Sequence, residues 1–313
     1  MKIFLWPTSL FLFVCTICTA LATPCPGPEN SNQPTQCKSL RQYFCSPEEK
    51  RNVPAMTDVE YQTSLRKLRT PEFTARLQGH IQGAIQEERA LTPAQKQSLS
   101  QKAKDTHLVF ENEDAMELGL SENALLYIKS IRILTCGLEG NVTNAMALYV
   151  ENRRIISVCP GLVRKIVSAQ QTSEEMADSL TFVLGHETGH FLFKEHEALY
   201  ENFKDCLLDN PTHEGLAKQS TMNIFKIIFG ELRVGPHLNE IVADYWGNRA
   251  MAQMMKSNTR AETFRSNYSF ICGIGNDDDG EHPGLDYRFD FLTRNDPGIA
   301  EALQCPMRPG CRL

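Results

Sequence analysis

The sequence predicts an α+β fold that is mostly helical, has a small β-sheet with an exposed edge, and contains disulfides. Long amphipathic segments with helix-capping signals cover most of the chain. Two apolar runs separated by a short polar turn near its centre are typical of a β-hairpin. The 313 residues, 42% of them hydrophobic, are sufficient for one large domain or two modest ones with a proper core.

The charge balance excludes some partners. The net charge is −6 at pH 7, and no basic block interrupts the sequence. Because nucleic acids and anionic membrane surfaces attract clustered lysine and arginine, neither is an expected partner.

The first residues resemble an export signal. Lys2 gives a positive start, an apolar run begins at Leu10, and Ala20-Leu21-Ala22 fits a cleavage site between small residues. We therefore predict a signal peptide over residues 1–22 and an exported protein, periplasmic or extracellular, with no membrane span once the signal is removed. An uncleaved anchor is the alternative, but the apolar core is shorter than the roughly 20 residues that a spanning helix needs.

The cysteines indicate a disulfide framework. Of 11 cysteines, two lie in the predicted signal and nine follow it, so at least one thiol is left over. Sequence alone leaves the connectivity open. One local pair is predicted, Cys305 with Cys311, because Pro306, Pro309 and Gly310 form a tight connecting loop.

The first third of the mature chain divides into two parts. Residues 23–54, rich in proline and polar residues, predict an irregular arm tied by disulfides, and residues 55–110 predict a helical segment. Its expected helices are Thr57–Arg69, Pro71–Glu88 and Pro93–Lys104. A threonine cap followed by proline marks the start of the second and third.

Residues 111–313 are predicted to form the main domain. Its expected strands are Tyr127–Thr135, Asn144–Val150 and Ile155–Val158, although Ala124–Leu126 before the first of them would also suit a helix. A short helix is expected near Leu162–Ala169.

The main domain contains a His-Glu-x-x-His motif on a predicted helix. His186 and His190 are four residues apart, so both imidazoles lie on one helical face and can reach one metal ion. Glu187 can take a proton from water that the metal activates. The motif helix is expected to continue to about Phe203. The plain alternative is a pair of surface histidines on a core helix.

A third ligand is predicted on a later helix that extends to about Lys256. Catalytic zinc sites use three protein ligands and leave one position open, and Glu240 is the candidate third ligand. Asp244 lies one helical turn further, where it can accept a hydrogen bond from a ligand histidine. A solvated acidic pair is the alternative. A structural zinc site is disfavoured because such sites fill all four positions.

Four blocks in order resemble the HtpX-like zinc metallopeptidases, a zincin-like family that includes the BepA-type proteases and the CAAX prenyl endopeptidases. The resemblance covers roughly Leu134–Phe291, about half of the chain. The blocks are Asn144-Ala145 before an apolar strand, Val183–His190, Glu240–Asp244, and His282-Pro283 followed by Arg288.

The resemblance implies one zinc ion per chain, held by His186, His190 and Glu240. It implies that Glu187 activates water and that Asp244 holds a ligand histidine by a hydrogen bond without binding the metal itself.

The resemblance also implies how substrate is held. Asn144 and Ala145 would begin an edge strand that pairs with an extended polypeptide. His282 would stabilise the tetrahedral intermediate as a second catalytic residue, and Arg288 would contact substrate and organise the site.

The sequence thus predicts an exported zinc-dependent endopeptidase. The alternative is a non-catalytic chaperone or peptide-binding protein on a metallopeptidase scaffold. The shared motifs do not include the N-terminal third, which is open to interpretation as a substrate platform, a pro-segment or a packing subdomain. The oligomeric state, natural substrate and cleavage specificity are not determined.

Overall fold

The computed structural model describes residues 37, 39–45, 56–168, 170–195, 197–209, 235–258, 260–268, 271–273, 283–293 and 295–306. These residues form a mostly helical protein with one three-stranded mixed sheet and paired cysteines, so the predicted α+β class is confirmed at that level. The predicted signal peptide lies outside the described residues. No helix in the described part of the chain is long and apolar enough to cross a membrane.

The elements are, in chain order, α1 (Leu40–Phe44), α2 (Asp58–Leu68), α3 (Pro71–Glu87), α4 (Pro93–Lys104), β1 (Thr106–Val109), α5 (Asn112–Met116), α6 (Glu122–Cys136), β2 (Ala145–Val150), β3 (Arg153–Val158), α7 (Pro160–Ile166), α8 (Ser173–Glu195), a 3₁₀ turn (Glu197–Tyr200), α9 (Glu201–Asp209), α10 (Gly235–Ser257), α11 (Ala261–Tyr268), a 3₁₀ turn (Ile271–Gly273), α12 (Leu285–Tyr287), a π-helix (Arg288–Thr293) and α13 (Pro297–Ala302).

The three predicted N-terminal helices are confirmed as α2, α3 and α4. Each begins with a threonine cap, and the side chains of Thr57, Thr70 and Thr92 accept a backbone N–H three residues further along. Capping therefore sets these boundaries locally, which explains why they were readable in the sequence.

The sheet has the order β1–β3–β2, so β2 is an edge strand. β2 runs antiparallel to β3, with Ala145 opposite Val158, and both strands were predicted. β1 runs parallel to β3, with Thr106 opposite Arg154. β1 was not predicted. It has only four residues and depends on pairing with a strand far away in sequence.

The predicted strand Tyr127–Thr135 is wrong, because this segment lies inside helix α6. Ser121 caps the helix by accepting the N–H of Ala124, and the positions buried beneath the helix recur every four residues. Its β-branched isoleucines suggested a strand, but packing against the sheet at helical spacing determines the outcome.

Helices α8 and α10, both 23 residues long, lie at the centre of the main core. The prediction for α10 is confirmed. The prediction that the motif helix continues to Phe203 is wrong, since α8 ends at Glu195 and a 3₁₀ turn precedes the separate helix α9.

Disulfides join the N-terminal arm to the C-terminal helices. Cys37 pairs with Cys305, and Cys45 pairs with Cys272. The predicted Cys305–Cys311 pair is therefore wrong: the N-terminal arm brings the sequence-distant thiol of Cys37 to Cys305, which a local loop argument does not detect. A third disulfide links the end of α6 to the start of α7 through Cys136 and Cys159. Cys206 is also disulfide-bonded.

Candidate metal centre

Helices α8 and α10 approach each other closely because glycines line their contact. A Cβ atom added to Gly189 would lie 2.8 Å from the Cα of Ala243, and one added to Gly185 would lie 3.0 Å from the Cβ of Ala250. On the opposing helix, a Cβ at Gly247 would lie 3.0 Å from the backbone oxygen of Phe182. A side chain at Gly189 would force the two backbones apart, and at Gly185 or Gly247 it would make a contact tighter than ordinary packing. The glycines of the motif therefore set the distance between the two helices.

This approach brings the three predicted ligands together. Nε2 of His186 lies 3.3 Å from Oε2 of Glu240, and Nε2 of His190 lies 3.6 Å from Oε1 of the same carboxylate. One potential ligand atom from each residue lies within 4.8 Å of the others. In the described part of the chain, this is the one group of three or more His, Cys, Asp or Glu side chains with metal-binding spacing.

The other nitrogen of each imidazole is held by a second residue. Nδ1 of His186 lies 2.9 Å from Oδ1 of Asp244, the contact expected from the sequence. Nδ1 of His190 lies 2.9 Å from Oδ1 of Asn239. Such contacts fix the ring orientation and leave Nε2 available for an ion. Both rings therefore point Nε2 at the space near Glu240.

Asn239 was missed by the sequence reasoning. The only available signal was its position directly before the predicted ligand Glu240. An asparagine on an amphipathic helix is ordinarily solvated, so its role became visible only when His190 was placed beside it.

Asp244 is held in turn by Arg288. The guanidinium donates two hydrogen bonds to the carboxylate, at 2.7 and 2.6 Å, and both side chains are buried. Arg288 was predicted to contact substrate and organise the site. The structure places its guanidinium against the carboxylate of Asp244, with a relative exposure of 3%.

The charged side chains of this cluster strongly affect one another's pKa values. Burial disfavours a charged His186, but hydrogen bonds to Asp244 and Glu240 outweigh burial and raise its pKa to about 10. Burial likewise opposes ionisation of Asp244, yet the positive charge of Arg288 and the bond to His186 hold its pKa well below the ordinary value.

Glu187 follows His186 on helix α8 and is only 6% exposed. No hydrogen bond or ion pair connects its carboxylate to another residue in the described part of the chain. This contrasts with Glu240 and Asp244, whose carboxylates contact the histidines.

Strand β2 is an edge strand that starts at Ala145, and the other predicted residue, Asn144, directly precedes it. The N–H of Cys159 donates to the carbonyl of Asn144 at 2.9 Å, which makes these two a hydrogen-bonded pair. Hydrogen-bonded and non-hydrogen-bonded pairs alternate along an antiparallel ladder. The backbone N–H and C=O of Met146 therefore point towards β3, and those of Ala147 point away from it, towards the open edge. The N–H of Ala145 donates to the side chain of Asn144 at 2.9 Å.

The edge strand lies beside the helix that carries the histidines. The Tyr149 ring packs edge-on against Phe191, with centroids 4.9 Å apart, and its hydroxyl donates to the Phe191 carbonyl. Phe191 directly follows His190. The predicted His282 lies outside the described residues.

Compared with known proteins, the chain matches no family model and no curated sequence. Fold and site together define a mostly helical α+β protein in which two histidines and a glutamate from two helices have the spacing of a metal site. The resemblance to the HtpX-like metallopeptidases stays a prediction.

Proposed function

We propose that the protein is an exported zinc-dependent endopeptidase of the HtpX-like, zincin-like type, with one zinc ion per chain. The observation that carries the proposal is the convergence of His186, His190 and Glu240, with the far nitrogen of each imidazole already held. Three ligands leave a position for water, as in catalytic zinc sites, whereas structural sites use four.

The donor set fits zinc. Two neutral imidazoles and one carboxylate form a common ligand combination for catalytic zinc, and the carboxylate lies close enough to both rings to share an ion after small adjustments. Zinc bound here would act as a Lewis acid and lower the pKa of a water molecule.

Glu187 is the proposed general base. Its carboxylate is nearly buried, follows the first ligand directly, and makes no hydrogen bond to a described residue. It is therefore free to accept a proton from the attacking water and to pass it to the departing amine. His282 is the proposed donor to the developing oxyanion.

Different roles are proposed for the three residues that were predicted to contact substrate. Ala145 begins the edge strand and Asn144 directly precedes it, so both lie where an extended polypeptide can add as a further strand through backbone hydrogen bonds. Arg288 is proposed to position rather than to bind, because its contact is with Asp244.

The disulfides support the proposed export. Three cysteine pairs are bonded among the described residues, and such bonds persist in oxidising compartments, which include the periplasm and the extracellular space.

The test combines metal content with cleavage of unfolded casein. Purified protein is expected to contain one zinc ion per chain and to cleave casein in a chelator-sensitive way. Glu187→Gln should retain zinc and lose at least about a hundredfold in cleavage rate. Glu174→Gln, an exposed glutamate on the same helix, is the matched control and should change neither.

Two outcomes would contradict the proposal. A fully active Glu187→Gln protein would remove the general base, and a His190→Ala protein that keeps both zinc and activity would remove the site. Binding of casein without cleavage and without dependence on zinc would favour the peptide-binding alternative.

A further inference from the structure

Helix α6 is apolar on both of its long sides. The positions that face the sheet recur every four residues and are Ala124, Ile128, Arg132 and Cys136. The opposite side exposes large apolar side chains at Leu126, Tyr127, Ile133 and Leu134. A surface helix ordinarily turns one apolar face to the core and a polar face to water. The second apolar face of α6 therefore indicates a surface that another molecule covers. We call this surface the outer face and define it as Leu126, Tyr127, Ser130, Ile133 and Leu134.

The apolar surface continues past the end of α6. Leu138 is 90% exposed, and Val142 is 44% exposed and returns to the helix end, where its N–H donates to the carbonyl of Cys136. A fully open side chain of this kind exposes on the order of 150–200 Å², so the six exposed apolar side chains together offer on the order of 600 Å². With polar neighbours included, this area approaches the ~800 Å² that each partner contributes to a standard interface.

The outer face lies on the other side of the sheet from the candidate metal centre. Helix α6 packs on Leu148 and Ile155, whereas the core that contains α8 includes the alternate strand positions Ala145 and Ile156. Successive residues of a strand point to opposite faces, so the sheet separates α6 from α8. The outer face is a further helix diameter away from the sheet. A polypeptide bound along β2 beside the metal centre is therefore not what covers it.

The charges beside the outer face do not favour a membrane. Lys129 is the one exposed cation of α6, and the exposed residues Glu122 and Glu139 at its two ends are acidic. Helices that lie on anionic membranes carry several lysines or arginines along their polar side. The composition of α6 therefore suits an apolar protein surface better than a lipid surface.

The outer face is symmetric about Ser130. Leu126 and Leu134 lie four residues to either side of this serine, and Tyr127 and Ile133 lie three residues to either side. When two copies of α6 pack antiparallel about a twofold axis through Ser130, Leu126 of each copy meets Leu134 of the other. Tyr127 likewise meets Ile133. The small serine lets the two backbones approach at the axis, and the Lys129 side chain lies about 100° round the helix, where it stays in water.

We propose that α6 forms the interface of a symmetric homodimer, in which the outer faces of two copies pack antiparallel about Ser130. The pattern is self-complementary, which is what a twofold interface requires of a single surface. The inference does not depend on the proposed peptidase activity, because no residue of the outer face belongs to the candidate metal centre.

Sedimentation velocity on the purified full chain tests the dimer. Twice the chain mass is expected at about 10 µM and above, with dissociation on dilution. Leu134→Glu should raise the dimer dissociation constant at least about a hundredfold, because a symmetric dimer contains the substituted site twice and buries each carboxylate against leucine. Val59→Glu is the matched control: Val59 is 76% exposed on α2, and this variant should dimerise like the wild-type protein.

A cross-link locates the axis. Ser130→Cys should form a disulfide between two chains on mild oxidation, because the two substituted positions face each other across the axis. Val59→Cys and the wild-type chain, treated in the same way, should not. Leu134 is 78% exposed, so the far-UV circular dichroism of Leu134→Glu should match that of the wild-type protein.

The proposal is overturned by a chain that stays monomeric up to about 100 µM, by an equally stable dimer in Leu134→Glu, or by Ser130→Cys that cross-links no more than Val59→Cys. Sedimentation of a monomeric chain with phosphatidylcholine vesicles, lost in Leu134→Glu, would assign the outer face to lipid and would overturn it as well. Because these measurements need neither zinc nor turnover, an inactive protein that forms this dimer would refute the proposed function and support this inference.

Discussion

Arg288 donates two hydrogen bonds to Asp244, at 2.7 and 2.6 Å, although the two residues are 44 positions apart in the chain. Asp244 lies 2.9 Å from Nδ1 of His186, so the guanidinium fixes the carboxylate that orients a predicted metal ligand. The π-helix that carries Arg288 is therefore part of the site, although it supplies none of the three potential ligand atoms.

Arg288→Lys is expected to weaken zinc binding by about tenfold, because a lysine keeps the charge but loses the two-pronged geometry that holds Asp244. Competition with a chromophoric chelator measures the affinity. Arg41→Lys is the matched control, since Arg41 pairs with Asp286 on the surface. Equal zinc affinity in the Arg288→Lys and wild-type proteins would show that Arg288 does not act through the ligands.

Gly189→Ala is expected to lower the unfolding free energy by about 2 kcal/mol and to weaken zinc binding, because the new methyl group would lie 2.8 Å from the Cα of Ala243. Urea denaturation and zinc titration measure the two effects. Gly79→Ala is the matched control: it has no atom within 4 Å of the added Cβ and should stabilise helix α3 by about 0.5–1 kcal/mol. Wild-type behaviour of Gly189→Ala would mean that the helix contact adapts without cost.

Asp178→Asn is expected to cost about 3 kcal/mol at neutral pH by leaving the buried partners of this carboxylate unpaired. Asp178 is 3% exposed and accepts from Arg76, His80 and Asn258. Urea denaturation measures the cost, and Asp286→Asn on the surface is the control.

The same carboxylate gives a pH dependence. Burial opposes its ionisation, but its bonds to His80, Arg76 and Asn258 outweigh burial and lower its pKa to about 2 from the ordinary 3.8. Its contribution is therefore complete above pH 3.8 and is lost as the pH falls towards 2. The stability difference between wild-type and Asp178→Asn proteins should shrink over this interval. A difference that stays constant from pH 5 to about pH 2 would contradict this account.

Phe44→Ala is expected to lower the unfolding free energy by about 3 kcal/mol and to weaken zinc binding. Phe44, in the N-terminal arm, is 1% exposed and packs on Tyr268 and Phe289 with centroids 4.4 and 5.6 Å away. Phe289 adjoins Arg288, so the arm supports the residue that holds Asp244. Val59→Ala, at a position that is 76% exposed, is the control for both measurements. An unaltered zinc affinity in a destabilised Phe44→Ala protein would confine the arm to a packing role.

Local signals explain the successful predictions. A capping threonine and a proline in the first turn are contained in a few consecutive residues, so α3 and α4 were predicted almost to the residue. Segments governed by distant partners were not predicted correctly. Strand β1 needs β3, helix α6 needs the sheet beneath it, and Cys305 needs a thiol that is 268 positions away.

The sequence by itself determined which candidate ligand residues share one face of each helix, because a four-residue spacing places two side chains on the same face wherever that helix lies. It could not determine whether Glu240 would meet the two histidines. The tertiary structure decided that, through glycines that let α8 and α10 touch and through Asn239 and Arg288, whose roles exist only once distant segments are packed. The physical reason is that backbone geometry is local, whereas the distance between two helices depends on every side chain between them.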